Sequence, residues 1–549
     1  MRFIRDFISL YIMRHLLLLV SLILIVSCKS VEKYNAQVTS LHSIYDLQED
    51  VDAIYGQLKR HHPRLYQYSS KETLDFKFDS LKNTIVKPIT SQEFYEKLAP
   101  VVREVRQGHI SVAPPKEKFT KPERKELNKK KFEFYELDFE CLDDALWVTG
   151  ARTDSALIGS QVLKVNTENP MDLIKKYEHQ IASDGYNTTL YSRAIGKNFA
   201  RLYYRDKGFL DSVALTFKLR DSVFTRVLKR VDKNKPADSV QKPQDSTVVK
   251  TLTKDERNAK KIAEREKRKR HKKLGYISSR KEYIRNFNYL NDAVAIMKIR
   301  GFEDGPYKEF YSESFQKLDS LNTPYLILDL RDNGGGRIGE IDYLFSYLAQ
   351  EPYQFINNKS EVTSRVPFMT FAMANGSPTG LKIVSAILSP IIVTHNLLKT
   401  QKVNDTLYYK FKYSKIRQPK ENNFKGQVYV LINGNSFSAS SIISTNLKAL
   451  NLATFVGEET GGAYNGTVAG IYKYYTLPNS LVKIRFGLMQ IESPYKTEPD
   501  GFGIKPDVYI VPTHEDRLNG KDPELEWILM DIEKDKSYSG SGKANQIGY

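Results

Sequence analysis

Three short, almost uninterrupted apolar runs in the second half of the chain constrain its fold most strongly. They cover residues 293–299, 325–330 and 427–432, and stretches of helical pattern alternate with them. A strand with one face in water alternates apolar and polar side chains, whereas a strand covered on both faces is apolar throughout. Such strands alternating with helices are typical of an α/β fold, which we expect to extend over residues 280–515.

The remaining parts of the 549-residue chain show other patterns. Apolar residues recur at helical spacing in residues 49–113, which predicts an N-terminal helical region. Residues 130–230 are rich in strand patterns, with a helical stretch between two strands, and resemble a small PDZ domain. That resemblance implies a module that docks peptides. Residues 516–549 are expected to form a C-terminal helix and tail.

The formal net charge of +18 is concentrated in one part of the chain. Residues 221–273 hold 18 Lys and Arg against 8 Asp and Glu, and their most basic part, KKIAEREKRKRHKK, contains no aromatic residue. Nucleic-acid-binding surfaces usually combine basic side chains with aromatic ones on an ordered face. We therefore interpret residues 231–276 as a basic linker or insertion, helical in part around residues 259–266, and expect no nucleic-acid partner.

The N-terminus has the pattern of an export signal. Arg2, Arg5 and Arg14 precede an apolar run over residues 16–26. A basic region, an apolar region and a small residue before the cleavage point define such a signal. The run is too short for a comfortable membrane-spanning helix, which needs about 20 apolar residues.

The sequence IVSC at the end of this run resembles a bacterial lipobox, in which the cysteine is acylated and becomes the mature N-terminus. It predicts a signal peptide over residues 1–27, lipid attachment at Cys28 and a polar tether over residues 28–48. The protein would then be anchored by its lipid at the outer membrane of the bacterial cell envelope, on the periplasmic side or at the cell surface. An ordinary signal peptide or an uncleaved anchor is the alternative. Cys141 is the other cysteine, so no intramolecular disulfide is expected.

The segment LDLRDNGGG places three glycines where one of the buried strands ends. Glycines there let the backbone bend so that N–H groups face a cleft and stabilise a phosphate or a developing oxyanion. Gly335 and Gly336 are the candidate donors. A glycine loop that serves only a tight turn is the alternative. A nucleotide site is not supported, because the segment has neither a P-loop Lys-Ser/Thr nor a GxGxxG pattern.

The segment VLINGNSFSASSI predicts a strand that turns directly into a helix beginning close to Ser438. A hydroxyl at this point lies beside free backbone N–H groups and the positive end of the helix dipole. This placement suits a nucleophile, with the N–H of Ala439 as a second oxyanion donor. The alternative is that Ser436 or Ser438 only caps the helix.

A third segment, GEETGG over residues 457–462, follows a further strand. In this order, the three segments resemble the tail-specific, or C-terminal processing, serine peptidases over about residues 289–512. The resemblance implies a protease core of the ClpP/crotonase-like type with Ser438 as nucleophile. It implies an oxyanion hole built from Gly335, Gly336 and Ala439, and a polypeptide substrate. It implies no cofactor, and the sequence shows no metal-ligand cluster.

The general base is expected from a distant part of the chain. Many members of this family use a lysine in the loop after the GExT motif, where this chain has Ala463, and Lys448 lies almost three turns along the helix opened by Ser438. The branch represented by the tricorn protease core uses a histidine instead. Gln107-Gly108-His109 resembles that branch's Asp-Gly-His segment, which implies His109 as the base; a structural histidine at a helix end is the alternative.

Two carboxylates are candidates for the acid that orients the base. The segment DGFGI resembles the family's Glu-Gly-x-Gly-Ile, which implies Asp500, with Glu498 as the second candidate. Gly108 stands where the tricorn core has a serine that links acid and base. The sequence therefore predicts a serine endopeptidase acting on exported or envelope polypeptides. The alternative is a catalytically impaired lipoprotein of the same fold that binds or scaffolds peptides.

Overall fold

The computed structural model describes residues 30–233, 253–278, 280–303 and 305–544. In the last helix, side chains are described as far as residue 535. The predicted signal peptide and the predicted lipid attachment at Cys28 lie outside the described residues. The same applies to residues 234–252, which include much of the predicted basic linker.

The N-terminal region consists of four helices and a short strand: α1 (Val31–Thr39), α2 (Ile44–His61), α3 (Lys71–Asn83), α4 (Ser91–Arg103) and β1 (Ser111–Ala113). Polar caps start these helices, as the Thr90 hydroxyl accepts the N–H of Glu93 at the start of α4. The His61-His62-Pro63 sequence ends α2, since proline restricts the residue before it.

Helix α1 lies within the stretch that the sequence predicts to be a polar tether. Tyr34 is buried there beneath the ammonium group of Lys118, 3.6 Å from the ring centroid. The side chain of Gln37 donates to the backbone oxygen of Asn479 at 2.9 Å. The tether prediction is therefore wrong from Val31 onward, because contacts with distant parts of the chain fold this polar segment.

The middle region combines helices with a sheet. Its elements are α5 (Lys121–Lys129), β2 (Lys130–Phe132), β3 (Leu137–Leu142), β4 (Ala145–Ala151), β5 (Gln161–Val165), α6 (Pro170–Glu178), α7 (Thr189–Lys207), β6 (Ser212–Leu219) and β7 (Ser222–Asp232). The strands form a six-stranded antiparallel sheet in the order β2-β7-β6-β5-β4-β3. Leu173 and Tyr177 of α6 and Phe199 of α7 belong to the apolar core of this sheet.

The basic segment continues as a long helix, α8 (Lys254–Leu274), followed by the short strands β8 (Tyr276–Ile277) and β9 (Glu282–Tyr283). This helix is longer than the partial helix expected around residues 259–266. Thr253 and Glu256 form a capping box at its start. No side chain of α8 is buried.

The second half of the chain contains the predicted α/β core. Its elements are β10 (Arg285–Asn291), β11 (Val294–Ile299), α9 (Tyr307–Ser320), β12 (Tyr325–Asp329), α10 (Ile338–Phe345), β13 (Tyr353–Gln354), β14 (Ser360–Val362), α11 (Pro367–Ala372), α12 (Thr379–Ile387), α13 (Ser389–Lys399), β15 (Thr400–Val403), β16 (Thr406–Tyr409), β17 (Ile416–Arg417), β18 (Gln427–Ile432), α14 (Ala439–Ala449), β19 (Thr454–Gly457), β20 (Thr467–Thr476), β21 (Lys483–Ile491), β22 (Val508–Tyr509), α15 (His514–Leu518) and α16 (Pro523–Ala544).

A six-stranded sheet in the order β10-β11-β12-β18-β19-β22 forms the centre of this core. The strands from β11 to β22 are parallel, and β10 is antiparallel at one edge. The apolar runs of the sequence are the strands β11, β12 and β18, as predicted. Both faces are covered, since Ile327 and Leu431 pack with Ile528 of α16 while Leu328 and Val430 pack with α9, α10 and α14 on the other face.

A second sheet joins the N-terminal region to the core. Strand β21 pairs with β20 on one side and with β1 and β14 on the other. Ile484 and Phe486 of β21 share an apolar core with Leu58, Phe94 and Leu98 of the N-terminal helices. Because β1 is added to this sheet, the residues directly before it lie along β21, on the side opposite to β20.

Candidate active site

The turn between β18 and α14 is fixed against the end of β12. The Ser436 hydroxyl donates to the backbone oxygen of Leu330 at 2.8 Å, and the Phe437 N–H donates to the backbone oxygen of Asn333 at 3.0 Å. At Ser438 the backbone adopts φ +58° and ψ −115°, outside the regions that residues with a side chain usually populate. Such strain persists only where the surrounding structure enforces it and is often found at functional positions.

The Ser438 hydroxyl faces a histidine instead of capping the helix it precedes. Its Oγ lies 3.0 Å from Nε2 of His109. Within the described part of the chain, the Ser438 side chain forms no capping hydrogen bond to α14. The capping interpretation therefore does not describe Ser438, and the predicted nucleophile and the predicted base meet although 329 positions separate them in the sequence.

The position of His109 is fixed by the backbone of the residue before it and by an aromatic neighbour. The N–H of Gly108 donates to Oδ1 of Asp184 at 2.7 Å. The imidazole packs against the ring of Phe437, with centroids 4.9 Å apart. A Cβ atom at position 108 would lie 2.7 Å from Cζ of Phe437, so a serine at this position would displace that ring.

The second ring nitrogen of His109 contacts a phenol. Its Nδ1 lies 3.3 Å from the hydroxyl of Tyr472, and the guanidinium of Arg485 lies over the Tyr472 ring, 4.0 Å from its centroid. Desolvation by the packed protein around the ring lowers the pKa of His109 to about 3, and the positive charge of Arg485 acts in the same direction. The imidazole is therefore neutral near pH 7, the state in which it can accept a proton.

Asp500, the predicted orienting acid, does not contact His109. Its carboxylate accepts hydrogen bonds from Nε2 of Gln67 at 2.9 Å and from the backbone N–H of Gly501 at 2.7 Å, so its oxygens are engaged elsewhere. Gln67 in turn accepts from Nε2 of Gln107 at 3.2 Å. Asp500 thus connects to the base segment through two amide side chains, and the prediction of a direct Asp500–His109 contact is corrected.

Glu498, the second candidate for the acid, is not near the base either. Its side chain is exposed, and its Oε2 accepts the backbone N–H of Asp500 at 3.2 Å. Of the two predicted acids, neither orients the imidazole in this structure.

The buried carboxylate near the base is Asp184, which the sequence did not single out. Besides Gly108, it accepts hydrogen bonds from the Thr467 hydroxyl at 3.1 Å and from the Ala463 N–H at 3.5 Å. Burial raises the pKa of Asp184 to about 6. Asp184 and Tyr472 lie in segments that resemble no motif, so no local signal in the sequence identifies them.

The glycine loop after β12 contributes in two ways. The N–H of Gly335 donates to Oδ1 of Asn333 at 2.9 Å, so this predicted oxyanion donor is already engaged. A Cβ atom at position 335 would lie 2.7 Å from Cβ of Ser438, and Gly335 therefore permits the close approach of the two loops. Gly336 and Ala439 line the cavity beside Ser438, where an oxyanion would form.

A cavity of about 420 Å³ opens beside the Ser438 hydroxyl. Strand β20 and helices α10 and α14 form its walls, which are largely apolar. The aliphatic and aromatic residues that line it include Ile338, Ile442, Ala469, Tyr472 and Ile491. Its position and its walls suit an apolar substrate side chain next to a bond that Ser438 would attack.

The GEETGG loop packs against the nucleophile turn and contains no lysine that could act as the general base. The Gly461 N–H donates to the backbone oxygen of Ser436 at 3.1 Å, and a Cβ atom at position 462 would lie 2.4 Å from Oγ of Ser441. Ala463 is buried, and Lys448 forms an ion pair with Asp507. Among the residues that the structure describes, no group of His, Cys, Asp and Glu side chains could hold a metal ion.

The parallel core and the serine beside a neutral histidine define a serine-type peptidase. Residues 293–510, which make up most of the α/β core, match the family model described as peptidase family S41. The match starts after the N-terminal region and contains the glycine loop, the Ser438 turn and the GEETGG loop.

Solved structures resemble the fold over most of the chain. Mature CPAF complexed with lactacystin is similar with a TM-score of 0.57 and 14% identity, over 88% of this chain and 97% of that chain. Mature CPAF is similar with a TM-score of 0.54 and 14% identity, over 88% of this chain and 96% of that one. At such low identity the likeness concerns the fold alone. No curated protein matches the chain in sequence.

Proposed function

We propose that this peptidase is an endopeptidase that cleaves exported or cell-envelope polypeptides through an acyl-enzyme on Ser438, with His109 as general base. The observation that carries the proposal is the 3.0 Å distance between the Ser438 hydroxyl and Nε2 of a neutral imidazole. That distance is within the range over which a base takes the proton of an attacking hydroxyl.

In the acylation step, Oγ of Ser438 attacks the peptide carbonyl while Nε2 of His109 accepts the hydroxyl proton. The tautomer that serves this step carries its hydrogen on Nδ1 and donates it to the Tyr472 hydroxyl. The imidazolium then returns the proton to the leaving amine. In the second half, a water molecule attacks the acyl-enzyme while Nε2 of His109 accepts its proton. The imidazolium then gives this proton to Oγ of Ser438 as the bond to the acyl group breaks, which releases the carboxylic acid and restores the hydroxyl.

The negative charge on the carbonyl oxygen of the tetrahedral intermediate needs hydrogen-bond donors. The backbone N–H groups of Ala439 and Gly336 supply them in this proposal, because both residues border the cavity at Ser438. The apolar cavity receives a substrate side chain next to the scissile bond. We therefore expect cleavage next to aliphatic or aromatic residues in unstructured polypeptides.

The cellular location is part of the proposal and is supported by the N-terminal sequence pattern. Acylation of Cys28 would anchor the protein at a membrane of the cell envelope, where exported polypeptides are its substrates.

One observation favours a second candidate function, that of a peptide-binding protein on the same fold. No carboxylate hydrogen-bonds the imidazole of His109 among the described residues, and the charge of Arg485 disfavours the imidazolium that acylation requires. A Ser–His pair without such support is a weaker catalyst than a full triad.

Labelling by a fluorophosphonate probe and cleavage of an unstructured peptide library separate the two functions. The endopeptidase is expected to be labelled and to cleave, and Ser438→Ala is expected to lose both activities, at least a thousandfold in rate. Ser444→Ala is the matched control, because Ser444 is a buried serine of the same helix, α14.

Cleavage or labelling that persists in Ser438→Ala would contradict the assignment of the nucleophile. A wild-type protein that binds peptides but neither cleaves them nor reacts with the probe would favour the peptide-binding function. Circular dichroism of each variant shows whether a loss of activity comes from loss of fold.

A further inference from the structure

Helices α12 and α13 bury polar side chains and expose apolar ones. Their buried residues are Ser385 and Asn396, and Oδ1 of Asn396 accepts the N–H of Phe368 at 3.3 Å. Large aliphatic side chains point outward: Val384 is 53% exposed, Ile387 72%, Ile391 70% and Leu398 80%. A soluble surface helix has the opposite arrangement, so this face is suited to an apolar environment.

The geometry of the pair suits a position along a membrane surface. Among the described residues, no single helix is long and apolar enough to cross a bilayer. Taken together, α12 and α13 reach the length and hydropathy of a membrane span, but they meet at an angle of 80°. An apolar helix pair bent in this way can bury its outer face in the boundary between headgroups and acyl chains without spanning the bilayer.

The charges around the pair match an anionic surface. No Asp or Glu occurs between Glu361 and Asp405, whereas Arg365, Lys382 and Lys399 lie in this interval. Lys402 also lies there but is paired with Asp405 at 2.6 Å. Basic side chains near an anionic leaflet are attracted to it. A purely apolar partner surface would not require this bias in charge.

The helix pair also lies near the start of the folded chain. The side chain of Asn375, just before α12, donates to the backbone oxygen of Thr476 at 2.8 Å. From α1, the side chain of Gln37 donates to the backbone oxygen of Asn479 at 2.9 Å. Both contacts are made at the turn between β20 and β21. The apolar pair and the segment that follows Cys28 are therefore neighbours.

We propose that α12 and α13 dock on an anionic lipid bilayer, with their exposed aliphatic side chains in the headgroup–acyl boundary. This contact and a lipid on Cys28 would approach the membrane from the same part of the molecule. The proposal does not depend on the acyl-enzyme chemistry, because none of its residues belongs to the catalytic site.

Vesicle flotation tests the proposal with the chain that begins at Ser30, which keeps every residue that the structure describes and lacks Cys28. The probes are vesicles of phosphatidylglycerol with phosphatidylcholine, and vesicles of phosphatidylcholine alone. A variant with polar substitutions on the helix pair is compared with a control that makes the same kind of change at exposed apolar residues elsewhere. The variant is Ile387→Ser/Ile391→Ser/Leu398→Ser, and the control is Val223→Ser/Val227→Ser/Ile262→Ser.

The wild-type chain and the control are expected to float with the anionic vesicles, and the helix-pair variant is expected to bind them at least tenfold more weakly. Binding is expected to persist in part at 0.5 M salt, because apolar insertion is not screened. Binding that high salt removes completely, or that the helix-pair variant retains, would assign it to the basic helix α8 and overturn the proposal.

A wild-type chain that does not bind vesicles would also overturn it. Sedimentation that shows a dimer of the wild type and a monomer of the helix-pair variant would overturn the proposal as well, since the helix pair would then contact a second copy of the chain. Thermal melts of the three proteins and their labelling by the fluorophosphonate probe show that the folded state is retained. Loss of labelling in all three, with normal melts, would concern the proposed catalytic function alone.

Discussion

The partner of Nδ1 decides how well the His109 imidazole can take up a proton. In a full triad a carboxylate accepts this hydrogen and stabilises the imidazolium. Here the hydroxyl of Tyr472 is at 3.3 Å, and Arg485 stacks on that ring. A phenol fixes the orientation and the tautomer of the ring but brings no negative charge. The site therefore relies on orientation more than on charge stabilisation.

Replacing Tyr472→Phe is expected to lower kcat about five- to tenfold, the rate equivalent of one lost hydrogen bond of about 1 kcal/mol, and to leave KM nearly unchanged. Steady-state cleavage of a library-derived peptide measures both constants. Tyr474→Phe is the control, since Tyr474 is on the same strand and is exposed. A change in KM alone would mean that Tyr472 contacts the substrate and does not position the base.

Among the structural elements, the loop between α6 and α7 connects the middle sheet to the catalytic segment. The Gly185 N–H donates to the backbone oxygen of Arg106 at 2.8 Å, and the Tyr186 N–H donates to that of Gly501 at 2.7 Å. From the same loop, Asp184 binds Gly108. The middle region thus contacts the His109 segment at Arg106 and Gly108, and a movement of this loop would alter the distance between His109 and Ser438.

Removing the Asp184 carboxylate is expected to weaken this connection. Asp184→Ala leaves the buried N–H of Gly108 without its acceptor and is expected to lower the free energy of unfolding by about 2–3 kcal/mol and kcat at least tenfold. Asp184→Asn keeps one acceptor oxygen and is expected to retain more of both. Urea denaturation and cleavage assays well below the melting temperature measure the two effects, with exposed Asp319→Ala as control. Equal losses in both Asp184 variants would rule out the acceptor role.

The parts of the fold and site that sequence predicts are those specified locally. The strand, turn and helix around Ser438 are contiguous, so the sequence pattern predicts all three and makes Ser438 the candidate nucleophile. No local pattern shows whether Asp500 or Tyr472 contacts His109, because their distances from His109 depend on how β1, β20 and β21 pair. The polar composition of α1 led to its prediction as a tether. Its fold depends instead on contacts with distant parts of the chain, such as the burial of Tyr34 beneath Lys118.

At the scale of the whole molecule, the site exists only when the N-terminal helices are docked on β21. Their shared core includes buried His62, whose ring packs against that of Phe486 with centroids 6.1 Å apart. Burial lowers the pKa of His62 to about 3. Protonation of this side chain in the unfolded chain therefore opposes the docking that brings His109 to Ser438.

The free energy of unfolding is expected to fall as the pH is lowered from 7, and His62 should account for a measurable part. Between its unfolded pKa of about 6.5 and its folded pKa of about 3, the unfolded chain binds a proton that the folded chain excludes. The stabilisation is therefore complete above about pH 6.5 and is lost progressively toward pH 3. From pH 7 to pH 5 the loss is about 2 kcal/mol for this one group. His62→Phe is expected to flatten the dependence by that amount in urea titrations, and the same substitution at exposed His179 is the control for the change of side chain. An unchanged slope in His62→Phe would show that the pKa of His62 does not differ between the folded and the unfolded chain.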